Sequence, residues 1–359
     1  FSNMAVVTVL EAAYLARSIS NGVYSDMFKM MPVIGFMFLA MTKSYNITYN
    51  RPVFENVINE LRSLWPEGAV SKEDNKMLKT NYYTTVTLCL IFSYPPILII
   101  IKSALGLTAS EMYLPYLYWL PFDPFQSLGV YTAMIVAETW HCEYLNVIHY
   151  FQLRFIWAMM SADLLFCTFL NHITTLLELL AVRIHRMVPV YMDQQLIKSY
   201  PLGRIIVPQV NTFGVVLAEI REIAVRHQSL IRLAKDIENM FSFALLVNFL
   251  NSSVIICFCG LCTVFLEKWY EVDYKSFLVT TMLQNWIICW YGQRLIDSSL
   301  NISKALYNSG WYRASIKMRT QKEIHVTNYG FSVISLSTFT SIVKSSWSYF
   351  TLLINVMSK

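Results

Sequence analysis

Charge is what this chain has least of. Only 14% of its 359 residues are Asp, Glu, Lys or Arg, while 55% are apolar and 15% aromatic, and the mean hydropathy is +0.44. A soluble domain carries roughly 25% charged residues, so this composition points to a polytopic membrane protein. Catalytic signatures are lacking too. There is no GxSxG, HExxH or P-loop pattern, and Glu138, Glu143 and Asp163 have no second acid at useful spacing, so we expect neither an enzyme nor a cofactor. The seven cysteines are an odd count, mostly inside apolar runs, and read as small packing residues rather than a disulfide framework. Cys257, Cys259 and Cys262 lie in VIICFCGLCTVF with no His or carboxylate among them, and the adjacent His141, Cys142 and Glu143 would point to different helix faces. Neither group makes a metal site. A secondary transporter should show an internal repeat and helices broken at mid-membrane; no repeat is present, and Pro95 and Pro96 are the only break.

What the chain does have is spans. Apolar segments long enough to cross a bilayer lie near 1–18, 24–47, 80–105, 127–182, 237–266, 276–300 and 331–357. Basic residues orient them. Arg51, Arg62, Lys72, Lys76 and Lys79 follow the second; Arg183, Arg186, Lys198, Arg204, Arg221, Arg226, Arg232 and Lys235 follow the fourth; Arg294, Lys304, Arg313, Lys317, Arg319 and Lys322 follow the sixth. Alternate loops hold few positives, so these three faces are cytoplasmic, the N-terminus is inside and the C-terminus outside. That is the reverse of a G-protein-coupled receptor. The net charge of +5 sits on these faces and needs no nucleic-acid partner.

The fourth segment runs on through FLNHITTLLELLAVRIHRM and the fifth begins early as FGVVLAEIREIAVRHQSLIRLAKDIENMFSF. Both keep a helical apolar rhythm with a charged opposite face, which predicts that helices four to seven extend into a cytoplasmic anchor bundle whose job is subunit contact. The expected division is 1–182 for helices one to four, with an extracellular loop at 106–126; 183–236 for anchor extensions; 237–300 for helices five and six; 301–330 for a further anchor segment; and 331–359 for helix seven. Pro115, Pro121, Pro124 and Asp123 mark the outer loop as a structured lid. Sequons at Asn46, Asn251 and Asn301 fall in cytoplasmic or membrane positions, where we expect no glycan.

Helix seven is amphipathic in an unusual way. At 100° per residue, Ser337, Ser341, Lys344, Ser345, Ser348, Leu352, Asn355 and Val356 share an arc of about 120°, while Leu336, Phe339, Val343, Trp347, Phe350 and Ile354 point away. A lysine at mid-membrane depth costs on the order of 3 kcal/mol unless it pairs or faces water, so Lys344 belongs on a wet side. A polar lane that narrows to aliphatic side chains at Leu352 and Val356 suits a pore with a dewetting gate. Packing of a buried helix through small residues is the competing reading. A second cluster suits an apolar ligand: Tyr24, Met27, Phe28 and Met31; Phe92, Tyr94 and Ile97; Phe277, Thr281 and Gln284. Asp163 and Arg154 are ionisable at membrane depth, and a structural role against other helices is the expectation for both; His172 and His227 are expected to satisfy hydrogen bonds at helix contacts.

The run CWYGQRLIDSSLNISKALYNSGWY, followed by MRTQKEIHVTNYGFSVISLSTFTSIVKSSWSYFTLL, resembles the C-terminal signature of insect odorant receptors. The likeness extends through YWLPFDP, ADLLFCTFLNHITTLLELL and RHQSLIRLAKDIENMFSF, nearly the whole chain. It implies an inverted seven-helix subunit of a tetrameric, odorant-gated, non-selective cation channel in the plasma membrane of sensory-neuron dendrites, with a pore lined by helix seven and a pocket in the outer half of helices two, three, four and six. The YFTLLINV match implies a gate at Leu352 and Val356, and Trp157 and Met160 are the pocket residues expected from helix four. The loop after helix four lacks the long insertion typical of the co-receptor. The chain thus resembles a ligand-selective subunit whose partners would be co-receptor subunits in a heterotetramer, a small volatile organic ligand, permeant cations and membrane lipid. The alternative is a seven-helix chemosensory receptor signalling through a G protein, which predicts an extracellular N-terminus.

Overall fold

A computed structural model describes residues 12–13, 15–17, 19–20, 24–66, 72–104, 160–185, 210–265, 273–308, 325–327, 330 and 332–357. Among them the protein is all-α. After the helical residues at 12–13, 15–17 and 19–20, seven further helices follow in order: α1 (Tyr24–Tyr49), α2 (Arg51–Leu64), α3 (Lys72–Ala104), α4 (Met160–His185), α5 (Val210–Phe265), α6 (Asp273–Asn308) and α7 (Leu336–Met357). The outer loop at 106–126, the early part of the fourth segment with Arg154, and residues 186–209 lie outside the described residues.

Helix lengths follow from the long apolar rhythms. At 1.5 Å per residue, the 56 residues of α5 make a rod of about 84 Å, far more than a hydrocarbon core of about 30 Å, whereas the 22 residues of α7 reach only about 33 Å. α4 and the Ala218–Phe265 portion of α5 are long and apolar enough to cross a membrane, with hydropathies of 1.6 and 2.0. α5 is the common wall: α1, α2, α6 and α7 all pack on it. The core between α4 and α5 is closed by fully buried Leu170, Ile173, Leu177, Leu233 and Ile237.

α2 is a helix the apolar-run reading did not anticipate. Pro52 opens it, where a missing N–H costs nothing, and Phe54, Val57 and Leu61 bury one narrow face while Arg51 and Glu55 pair on the other. Trp65 then turns extended (ψ 135°), as the residue before Pro66 should, and its N–H caps the helix on the Arg62 carbonyl at 3.3 Å. The Trp65 ring meets His172 edge-on at 5.1 Å, and His172 Nδ1 is buried with no hydrogen-bond partner among the described residues. At Nδ1 the ring thus packs against Trp65 without a hydrogen bond.

Helix seven also departs from expectation at its start. The span expected from 331 begins as a helix only at Leu336. Thr327 and Val333 form an antiparallel bridge, Ile334 N–H donates to the Val326 carbonyl at 2.8 Å, and Gly330 turns the chain with φ 80°. β-branched Val333 and Ile334 favour the extended form, and Ile334 is wholly buried against α6. The approach is close enough that a Cβ at Gly292 would lie 2.4 Å from the Ile334 carbonyl oxygen, so only glycine fits there.

Candidate functional site

Buried polar groups inside an apolar bundle must find partners, and α1, α4 and α6 meet around such a set. Lys43 Nζ of α1 lies 2.7 Å from both carboxylate oxygens of Asp163 on α4, and Gln284 Nε2 of α6 donates to Asp163 Oδ2. The side chains of Lys43 and Asp163 are 3% and 4% exposed. Three helices far apart in sequence are thereby tied at one carboxylate. Below Gln284 the polar seam continues between α5 and α6: Asn248 donates to Asn285 Oδ1 at 3.0 Å, and Asn285 Nδ2 donates to Ser252 Oγ at 2.9 Å and to the Thr281 carbonyl at 2.7 Å. Asn251 holds α5 to α1 through the Gly35 carbonyl at 2.8 Å, where a Cβ would press its amide.

A second polar layer joins α3, α4 and α6. Asn81 Nδ2 donates to Thr175 Oγ1 at 2.6 Å and to the Asn171 carbonyl at 3.2 Å, while Arg294 reaches Asn171 Oδ1 at 3.3 Å and Glu178 at 3.4 Å. In the helix extensions, Arg183 grips Glu222 with two nitrogens, at 3.1 and 2.8 Å, and this hydrogen bonding holds the Glu222 carboxyl below its usual range. Lys235 and Thr327 share Glu238, whose Oε1 accepts from the Thr327 backbone N–H at 3.2 Å and from its hydroxyl. The chain entering α7 is thus pinned to α5.

α7 packs on one face. Ile342 and Ser346 are buried, and Phe350, Leu353 and Ile354 close around Leu261 and Cys262 of α5. The stripe singled out from the sequence points the other way: Ser337, Ser341, Lys344, Ser345, Ser348, Leu352 and Asn355 are all exposed in the single chain, Leu352 by 60%. Trp347, set on the opposite face, is also exposed at 65%. The side chain of Val356 is not among those described. Ser341 and Ser348 hydroxyls return to carbonyls one turn back, which leaves their lone pairs to solvent.

The expected pocket residues are only partly visible. Met31 is half-buried, Met160 buried, and Phe277 exposed by 37% with its ring 5.2 Å from Phe36. Thr281 and Gln284 are buried, and their polar groups face protein: the Thr281 hydroxyl donates to the Phe277 carbonyl at 2.9 Å, and the Gln284 amide serves Asp163. Both lie within two turns of Phe277 along α6. The side chains of Tyr24, Met27, Phe28, Phe92, Tyr94 and Ile97 lie outside the described set, as does Trp157 altogether. Lys43 was the residue sequence reasoning missed. It ends an apolar run, where a lysine reads as a snorkelling boundary residue, and its partner lies 120 positions away.

Comparison with known proteins gives a consistent set of matches. A family model described as 7tm Odorant receptor matches residues 24–347. Odorant receptor 85b of Drosophila melanogaster is 24% identical over 98% of this chain and 88% of its own length, and odorant receptor 67c of the same species is 24% identical over 90% and 78%. The solved insect olfactory receptor OR5 from Machilis hrabei in complex with eugenol superposes with a TM-score of 0.76 at 16% identity, covering 98% of this chain and 87% of that one. A second structure of OR5 from Machilis hrabei gives a TM-score of 0.73 at 16% identity, covering 98% of this chain and 86% of that one.

Proposed function

The chain belongs to the 7tm odorant receptor family, and on that premise we propose that it is a ligand-selective subunit of an odorant-gated, non-selective cation channel, assembled with co-receptor subunits in the plasma membrane. The observation that carries this reading is the two-faced α7. Its packed face is spent on α5 and α6, while a lane of hydroxyls with Lys344 and Asn355 remains uncovered in one subunit. Such a lane is costly against lipid, and one helix cannot enclose a conduit, so α7 repeats around an axis and the seams meet there. Leu352 and Val356 form the hydrophobic constriction at the outer end.

The ligand occupies the outer part of the bundle among Tyr24, Met27, Phe28, Met31, Phe92, Tyr94, Ile97, Trp157, Met160 and Phe277, above the floor of Thr281 and Gln284. Odorant binding favours the open arrangement by its differential affinity, and α7 withdraws Leu352 and Val356 from the axis. Basic residues 51–79, 183–235 and 294–322 lie in the cytoplasm, with the N-terminus inside. At 1.5 Å per residue Gln284 stands about 15 Å along α6 from Arg294, close to half the hydrocarbon thickness, which puts the Lys43–Asp163 pair near mid-membrane.

Co-expression with a co-receptor and recording across an odorant panel tests the proposal. Leu352→Ala with Val356→Ala should raise the current without odorant or alter rectification. Unchanged currents from a well-expressed double variant would remove the gate from these positions, and an N-terminal epitope accessible on intact cells would reverse the topology.

A further inference from the structure

A cleft of about 380 Å³ opens sideways between α3 and α6, away from the ligand floor and from α7. Its floor is buried Leu88, Ile287 and Tyr291, and its rim carries Tyr83, Trp286 and Trp290, exposed by 65%, 39% and 42%. The α3 wall looks polar in sequence but is apolar in effect. Thr80, Thr84 and Thr87 each donate to the carbonyl four residues back, at 3.0, 2.7 and 2.8 Å, so their hydroxyl protons are spent on the helix and not offered to the cleft. Volume and lining fall within the range of small-molecule sites, at the lower end.

Charge identifies the occupant. Lys76 stands four residues before Thr80 and Lys79 four before Tyr83, so both exposed lysines continue the cleft face by one turn at the end of α3 that the charge pattern places in the cytoplasm. An apolar cleft walled by aromatic rings, with exposed lysines just beyond its cytoplasmic end, offers an acyl chain a place inside the bilayer and a phosphate a cation at the surface. We propose that this cleft holds an anionic glycerophospholipid of the cytoplasmic leaflet, one acyl chain against Trp286 and Trp290 and the phosphate region at Lys76 and Lys79. The proposal rests on the orientation given under the proposed function.

Tryptophan fluorescence of the full receptor complex with its co-receptor, reconstituted in phosphatidylcholine vesicles, tests it. Dibrominated phosphatidylserine quenches more effectively than dibrominated phosphatidylcholine, and the difference disappears in Trp286→Phe with Trp290→Phe, which keeps the fold. Two lysines near a headgroup give a preference on the order of tenfold or more, and Lys76→Gln with Lys79→Gln brings the two lipids level. Equal quenching by both lipids in the parent overturns the proposal, since bulk lipid then fills the cleft. Quenching by neither overturns it in favour of a cleft covered by a second chain. The orientation is read separately from Lys79→Cys: new labelling of that variant by an impermeant reagent from outside intact cells sinks the topology, whereas its absence with equal quenching sinks the lipid site alone.

Discussion

Removing Lys43 should be worse than removing the whole polar knot. In Lys43→Met the Asp163 carboxylate stays buried with only the Gln284 amide to compensate it, a situation that costs about 3–5 kcal/mol. Asp163→Leu strands the Lys43 ammonium and the Gln284 amide together, at a comparable cost. If the two effects were independent, the double variant would lose about 6–10 kcal/mol. They are not. With both charges gone, the remaining defect is one buried amide without its acceptor, worth about 1–3 kcal/mol, and adding Gln284→Leu removes that defect too. The expected order of stability is parent and triple variant highest, the double next, and the two singles lowest.

The measurement is the temperature at which the detergent-solubilised receptor and co-receptor complex loses half its monodisperse peak, taken as a ranking because large membrane assemblies unfold irreversibly. A double variant at least as unstable as the worse single, or singles indistinguishable from the parent, would refute the claim that one carboxylate joins α1, α4 and α6.

Two further outcomes follow from close contacts and from charge. Gly292→Ala places a Cβ 2.4 Å from the Ile334 carbonyl and 2.8 Å from its Cγ2, overpacking that costs about 1–3 kcal/mol, so heat stability of the complex and current amplitude should both fall; normal values would remove the close approach. Lys344→Gln removes a positive charge from the proposed lane. For a cation on the order of 8 Å away in water this is about 0.5 kcal/mol, so single-channel conductance should rise about twofold, and a fall would place Lys344 away from the ions.

How much was legible differs from element to element. The exposed side of α7 could be read directly, because Ser337, Ser341, Lys344, Ser345 and Ser348 recur at helical spacing, but the opposite side could not be read throughout, since Ser346 is buried and Trp347 is exposed. Its first residues could not. Val333 and Ile334 are apolar in either conformation, and only the pairing with Val326 and Thr327 makes them extended. α2 stayed hidden for the opposite reason: Arg51 and Arg62 read as loop charges, while its three buried residues are too few for an apolar run. Gln284 shows the limit at the site. An uncharged amide in an apolar helix gives no sign of its partner, and the carboxylate that accepts from it lies 121 residues away.

The contacts of α7 also dictate how it can move. Its root is held twice, by Glu238 on Thr327 and by the fit of Ile334 against Gly292, whereas among the described residues its outer part is held by apolar packing, Phe350, Leu353 and Ile354 joining Leu261 and Cys262 of α5 and Tyr274 of α6 in one cluster. A helix fixed at one end and packed on one side pivots. Leu352 lies 16 residues beyond Leu336, about 24 Å, so a tilt of about 5° carries it about 2 Å toward or away from the axis. The swinging end of that tilt faces Gly260, where an added Cβ would stand 3.3 Å from the Phe350 ring. Gly260→Ala should therefore press the outer end of α7 away from α5, toward the axis, and favour the closed gate. Concentration–response curves of the variant with co-receptor should shift to higher odorant concentration, by up to about tenfold if the contact costs about 1.4 kcal/mol in the open state alone. A shift to lower concentration at normal surface expression would mean that α7 opens by moving toward the axis side of Phe350, and the pivot would have to be drawn the other way.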